Sequence, residues 1–190
     1  MTIENVKKEV LQCTKCELHK TKTKYVFGDG NSVANIMFIG EAPGSNEDKQ
    51  GIPFVGKAGG IFDELLRSLD LNRESIYICN ILKCRPPNNR NPNTTEIEAC
   101  TPYLDKQIDL IQPKVICPMG NFATKFILKK FNVMDKIPGI SLLHGKSYKV
   151  TNIFGTIEII PLYHPAVGTY NPEMKNVLLK DIQILKDKKD

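Results

Sequence analysis

The chain lacks any apolar run long enough to cross a bilayer. Stretches such as Ile36-Met37-Phe38-Ile39 fall far short of the roughly 20 residues that a spanning helix needs. It begins Met1-Thr2-Ile3-Glu4-Asn5-Val6-Lys7-Lys8-Glu9-Val10, which is polar and helical in period, unlike the apolar core of a secretory leader. There is no internal repeat, no low-complexity tract and no GxxxxGK[ST] phosphate loop. A membrane span and P-loop chemistry are thereby excluded, and a soluble cytoplasmic protein is expected. Apolar residues at 41% and charged residues at 25% are close to the globular average, which excludes disordered and collagen-like chains. A length of 190 residues suits one domain, 1–190.

The net charge of +5, from 26 basic and 21 acidic residues, permits a polyanionic partner without requiring one. The lysines of the C-terminal tail read as a solvated helix end. The stretch from Lys83 to Pro92 carries more information. It holds Lys83, Arg85 and Arg90, no acid, and prolines that prevent a helix.

Six cysteines are many for a chain with no export signal. Cys79 and Cys117 lie on apolar strand-like runs and read as small buried hydrophobes. Cys13-x2-Cys16 is half of a metal site, and Cys84 with Cys100 could supply the rest. Four thiolates can hold a tetrahedral zinc or a cubane iron–sulfur cluster. Zinc ribbons usually pair two close knuckles, whereas the second pair here is split by fifteen residues, which favours a cluster. Such a centre would staple the N-terminal segment to the 84–100 loop and hold the basic stretch in place.

The pattern of elements is legible. Residues 3–12 read as a helix, Val33–Ile39 as a buried strand, and 56–69 as a helix with Ile61, Leu65, Leu66 and Leu69 on one face. Residues 76–82 and 114–118 read as strands. Helices follow from about Thr94, with Thr94 or Thr95 as cap, to Ile111, and from Asn121 to Lys130. A fourth strand spans 156–162, and a closing helix spans 172–186. Strands alternating with helices predict parallel β-α-β units and a three-layer α/β/α sandwich around a four-stranded parallel sheet. In such sheets the ligand crevice lies beyond the carboxyl ends of the strands. Glu41, Asn80 and His164 each fall at such an end.

The loops near those ends have both bland and functional readings. Gly40-Glu41-Ala42-Pro43-Gly44 is a tight turn with a solvated acid, or a backbone brought close to a ligand. Glu47 and Asp48 are a second acid or surface charges. Phe54, in Gly51-Ile52-Pro53-Phe54-Val55-Gly56, is a core residue or a stacking platform for a flat ligand. Asn80 caps backbone, or reads an edge that bears both a carbonyl and an N–H. His164-Pro165 is the best placed histidine, with His19 and His144 incidental. From the residues alone, three classes remain open: an enzyme acting on a flat base, a non-catalytic metal-stapled nucleic-acid-binding module, and an electron-transfer protein.

Taken together, Cys13-x2-Cys16, Gly40-Glu41-Ala42-Pro43-Gly44, Glu47-Asp48, Pro53-Phe54-Val55-Gly56, Asn80, Lys83-Cys84-Arg85-Pro86-Pro87-Asn88-Asn89-Arg90, Cys100 and His164-Pro165-Ala166 resemble the family-4, iron–sulfur uracil-DNA glycosylases. The resemblance runs through nearly the whole chain. It implies a monofunctional hydrolase of base excision repair that cleaves the N-glycosidic bond of deoxyuridine in single- or double-stranded DNA. The products are free uracil and an abasic site. It implies Cys13, Cys16, Cys84 and Cys100 as ligands of a 4Fe-4S cluster, and Gly40, Glu41, Ala42, Phe54, Asn80 and His164 around the uracil. Glu41 and His164 would be catalytic, with Lys83, Arg85 and Arg90 on the DNA. A monomer that does not engage membranes is expected. Many relatives place a leucine wedge soon after the histidine motif, whereas this chain reads Val167-Gly168-Thr169-Tyr170.

Overall fold

The computed structural model describes residues 1–152 and 155–188. Its strands are β1 (Asp29–Gly30), β2 (Ile36–Gly40), β3 (Tyr77–Asn80), β4 (Val115–Pro118), β5 (Tyr148–Asn152) and β6 (Gly155–Ile159). Its α-helices are α1 (Ile3–Leu11), α2 (Leu18–Thr21), α3 (Ser45–Gln50), α4 (Lys57–Arg67), α5 (Thr94–Ile111), α6 (Asn121–Lys130), α7 (Ile140–Leu143) and α8 (Pro172–Ile182).

The sheet order is β1-β3-β2-β4-β6-β5. The inner four strands run parallel, as expected from the β-α-β pattern. The two edge strands, β1 and β5, are antiparallel additions. Both escape a periodicity reading: β1 is two residues long, and β5 is polar on its exposed edge. An antiparallel edge on a parallel sheet is common in such folds.

The inner strands β2, β3 and β4 are buried along their full length, so alternate residues feed two cores. Met37, Ile39, Cys79 and Ile116 pack with Val6 and Val10 of α1, Leu104 and Ile108 of α5, and Ile127 of α6. Ile36, Phe38, Ile78 and Cys117 pack with Phe62 and Leu66 of α4 and with Leu178 and Ile182 of α8. This is the three-layer sandwich. Cys79 and Cys117 are fully buried, as small core hydrophobes.

One local expectation is corrected. The cap of α5 is neither Thr94 nor Thr95 but Asn93, in a reciprocal box with Glu96. The Asn93 N–H donates to Glu96 Oε2 at 2.8 Å.

Candidate active site at the carboxyl edge of the sheet

The carboxyl ends of the parallel strands are tied together beyond the ladder itself. Ile81 N–H donates to the Gly40 carbonyl and Leu82 N–H to the Glu41 carbonyl, both at 3.0 Å. Met119 N–H donates to the Ile39 carbonyl and Gly120 N–H to the Leu162 carbonyl, both at 2.8 Å. These bonds bring the residues after β2, β3, β4 and β6 to one edge.

Gly40 is the close-approach point. A Cβ there would collide with Asn80 Oδ1 and with the Phe54 ring, so glycine lets the amide and the aromatic ring meet over the strand end. Asn80 is 2% exposed, so its carboxamide sits within the strand edge rather than on the surface.

Phe54 is buried, and its ring stacks on the His164 imidazole with centroids 5.6 Å apart and planes 29° apart. His164 Nδ1 accepts the Ala166 N–H at 3.2 Å, which leaves the proton of the neutral ring on Nε2. Burial pushes the imidazole down to about 4, with Glu47 pulling weakly the other way, so it is neutral near pH 7. Glu41 is half-buried, and burial raises its carboxyl above the ordinary range. Glu41 and His164 line one cavity of about 310 Å³ together with Met119, Gly120, Phe122 and Lys125.

The other two acids expected in the loop after β2 lie instead in the first turn of α3 and bond to main-chain N–H groups. Glu47 Oε1 accepts N–H bonds from Val55 (2.9 Å) and Gly56 (2.8 Å), holding the Phe54 loop. Asp48 is buried and accepts the Thr23 N–H at 2.9 Å.

Cys13, Cys16, Cys84 and Cys100 also converge. They line a single space of about 10 Å³ between α1, α2, α5 and the segment after β3. Lys83 N–H donates to Cys100 Sγ at 3.3 Å, and Tyr25 Oη donates to the Cys13 carbonyl at 2.6 Å. Burial raises Cys16 and Cys84, and it lifts Cys100 to about 11 even though Lys83 pulls it down. Among the described residues no three His, Cys, Asp or Glu side chains meet at a point that could hold a single metal ion.

The family model described as "Uracil DNA glycosylase superfamily" matches residues 27–186 of the chain. The chain belongs to that superfamily. Relatives named type-4 uracil-DNA glycosylase align along nearly the whole length. The protein from Sulfurisphaera tokodaii is 44% identical, covering 98% of this chain and 84% of its own. That from Archaeoglobus fulgidus is 45% identical over 96% and 90%. That from Saccharolobus solfataricus is 48% identical over 94% and 82%.

Of the site residues expected for the superfamily, Gly40, Glu41, Phe54, Asn80 and His164 are brought together, with Ala42 next in the same turn. The basic stretch behaves differently. Lys83 does not face DNA: it is 1% exposed, and its ammonium donates to the Asn80 carbonyl (2.7 Å) and to Gln107 Oε1 (2.6 Å). The cause is its position directly after a central strand, where the side chain turns inward onto α5. Arg90 is exposed, but its guanidinium makes a fork onto both oxygens of Glu96, at 2.6 and 3.0 Å. Its charge is therefore locally offset. Arg85 donates Nε–H to the neutral Asn89 side chain at 2.8 Å. Sequence reasoning missed Met119, Gly120 and Lys125. The signal was available, since they follow β4 and the strand-end rule applies to every parallel strand.

Proposed function

We propose that the chain excises uracil from DNA by hydrolysing the N-glycosidic bond. One observation carries this reading. A buried carboxamide, Asn80, meets an aromatic ring over a glycine, with a neutral imidazole and a half-buried carboxylate at the same strand edge.

The deoxyuridine must leave the stack, at a cost of a few kcal/mol. Phe54 supplies a stacking surface for the base, and Asn80 offers one acceptor and two donors to its N3–O4 edge. Gly40 and Ala42 leave room for the ring. Bond cleavage places negative charge on the uracil and oxocarbenium character on the sugar. The Nε2–H of neutral His164 donates to O2 as charge builds there, and one preorganised donor of this kind is worth about 3 kcal/mol. Glu41 orients the attacking water and stabilises the sugar cation. Arg85 and the exposed Lys125 supply phosphate contacts. In the turn after His164, Val167 packs against the apolar core while Tyr170 is 82% exposed, so Tyr170 is the side chain free to enter the duplex.

The four cysteines would hold a 4Fe-4S cluster. Support comes from four thiols, Cys13, Cys16, Cys84 and Cys100, that line one space. When bound, the cluster ties α1 and α2 to the segment after β3 and has no step in the hydrolysis.

The test is uracil release from a labelled oligonucleotide. Wild type should release free uracil and leave an alkali-labile site, and Glu41→Ala should lose at least about a hundredfold in rate while still binding DNA. Unchanged turnover in Glu41→Ala would remove that residue from the mechanism. DNA binding without any uracil release by wild type would overturn the function.

A further inference from the structure

Phe54 is held in a conformation it would not adopt alone. Its φ is +54°, in the left-handed region that a bulky side chain rarely enters. The groups that impose it are specific. Arg73, in the short turn before β3, donates Nη1–H to the Pro53 carbonyl at 2.9 Å and Nη2–H to the Phe54 carbonyl. Its Nε–H is fixed by Asp63 of α4 at 2.8 Å. The guanidinium also lies over the Phe62 ring, 5.9 Å from its centroid, and Phe62 packs against Phe54 with centroids 5.5 Å apart.

We infer that Arg73 is a positioning residue of the base site: its planar fork, oriented by Asp63, clamps the Pro53 and Phe54 carbonyls so that the Phe54 ring stands at Gly40 and His164 ready to stack. No substrate atom need touch Arg73. The inference rests on Phe54 being the stacking platform. A guanidinium suits this task because its donors are fixed in one plane, whereas an ammonium is a point donor that cannot serve two carbonyls and a carboxylate in that geometry.

The experiment is a double-mutant cycle on uracil release, with Arg73→Met, Phe54→Ala and the pair, and with thermal melts of each. Phe54→Ala should cost roughly ten- to a hundredfold in excision efficiency, the range of one lost base–aromatic stack. Arg73→Met should cost on the order of tenfold, and the double variant should be no slower than Phe54→Ala alone, because the clamp acts only through the platform. Arg73→Lys should rescue less than half of the loss in logarithmic terms. A general structural role predicts multiplied losses instead. Multiplied losses, or an Arg73→Met variant as active as wild type, would overturn the inference. Wild-type activity in Phe54→Ala would overturn the platform reading itself, a distinct result. If Arg73→Met does not fold, Arg73→Lys is read in the same cycle with the same outcomes.

Discussion

At the residue scale the two titratable groups of the site separate cleanly. The imidazole of His164 is lowered to about 4, so it is neutral throughout the working range. Glu41 is raised by burial, and in the proposed mechanism it must be ionised to orient water or stabilise a cation. The acid limb of excision therefore belongs to Glu41 and should lie above the ordinary carboxylate value. A pH–rate profile checks this: His164→Gln should be slower but keep the same acid limb, and a limb that moves in that variant would reassign it. The stability consequence of His164 has the opposite origin. Its folded value lies below its unfolded one, so the unfolded chain takes up the proton first. Stability is lost as pH falls from about 6.5 toward about 4, by at most on the order of 3 kcal/mol. Unfolding midpoints across that window, compared with His164→Gln, measure the term.

At the element scale the start of α4 carries the clearest contrast. Alanine for glycine inside a helix ordinarily stabilises by about 0.5–1 kcal/mol. Gly60 has open space around it, and Gly60→Ala should follow that rule. At Gly59 a Cβ would run into the Phe54 carbonyl, and the overlap outweighs the propensity gain. Gly59→Ala should therefore lower the melting temperature and slow uracil release, while its neighbour raises the first and spares the second. Melts and excision rates on the two single variants decide the matter. Helix α5 shows how far local signals reach. Its span, Thr94–Ile111, is readable from periodicity, yet the cap lies one or two residues ahead of the threonines expected to supply it. Asn93 can both accept from the N3 amide and receive the Glu96 side chain, a reciprocity that threonine preference alone does not reveal.

At the scale of the whole molecule, packing and an ion pair join the N-terminal segment to the domain. Val6, Val10 and Leu18 bury their side chains in the core shared with α5, and Lys106 pairs with Glu9 at 2.5 Å. The four cysteines around one space would form a further tie by holding the proposed cluster. Cys84→Ala should strip iron and brown colour, lower the melting temperature, and raise amide exchange in residues 1–22 before the core strands open. Metal analysis, visible absorption and hydrogen exchange give the three readouts. A colourless wild type with stoichiometric zinc would replace the cluster by a mononuclear site. The buried Lys83 lies between the two regions. Its main-chain N–H meets Cys100 and its ammonium meets the Asn80 carbonyl, so the group of thiols and the end of β3 share one residue.

Periodicity and strand-end position suffice to predict the parallel sheet, its helices and the convergence of Glu41, Asn80 and His164, because buried strands in β-α-β order leave few ways to pack. Side-chain direction is another matter. That Lys83 turns inward, that Arg90 is taken up by Glu96, and that Arg73 reaches the Phe54 loop all depend on contacts between residues six to twenty-four positions apart. Charge and composition are properties of single positions, whereas the partner that neutralises, buries or aims a group is supplied by the packed fold.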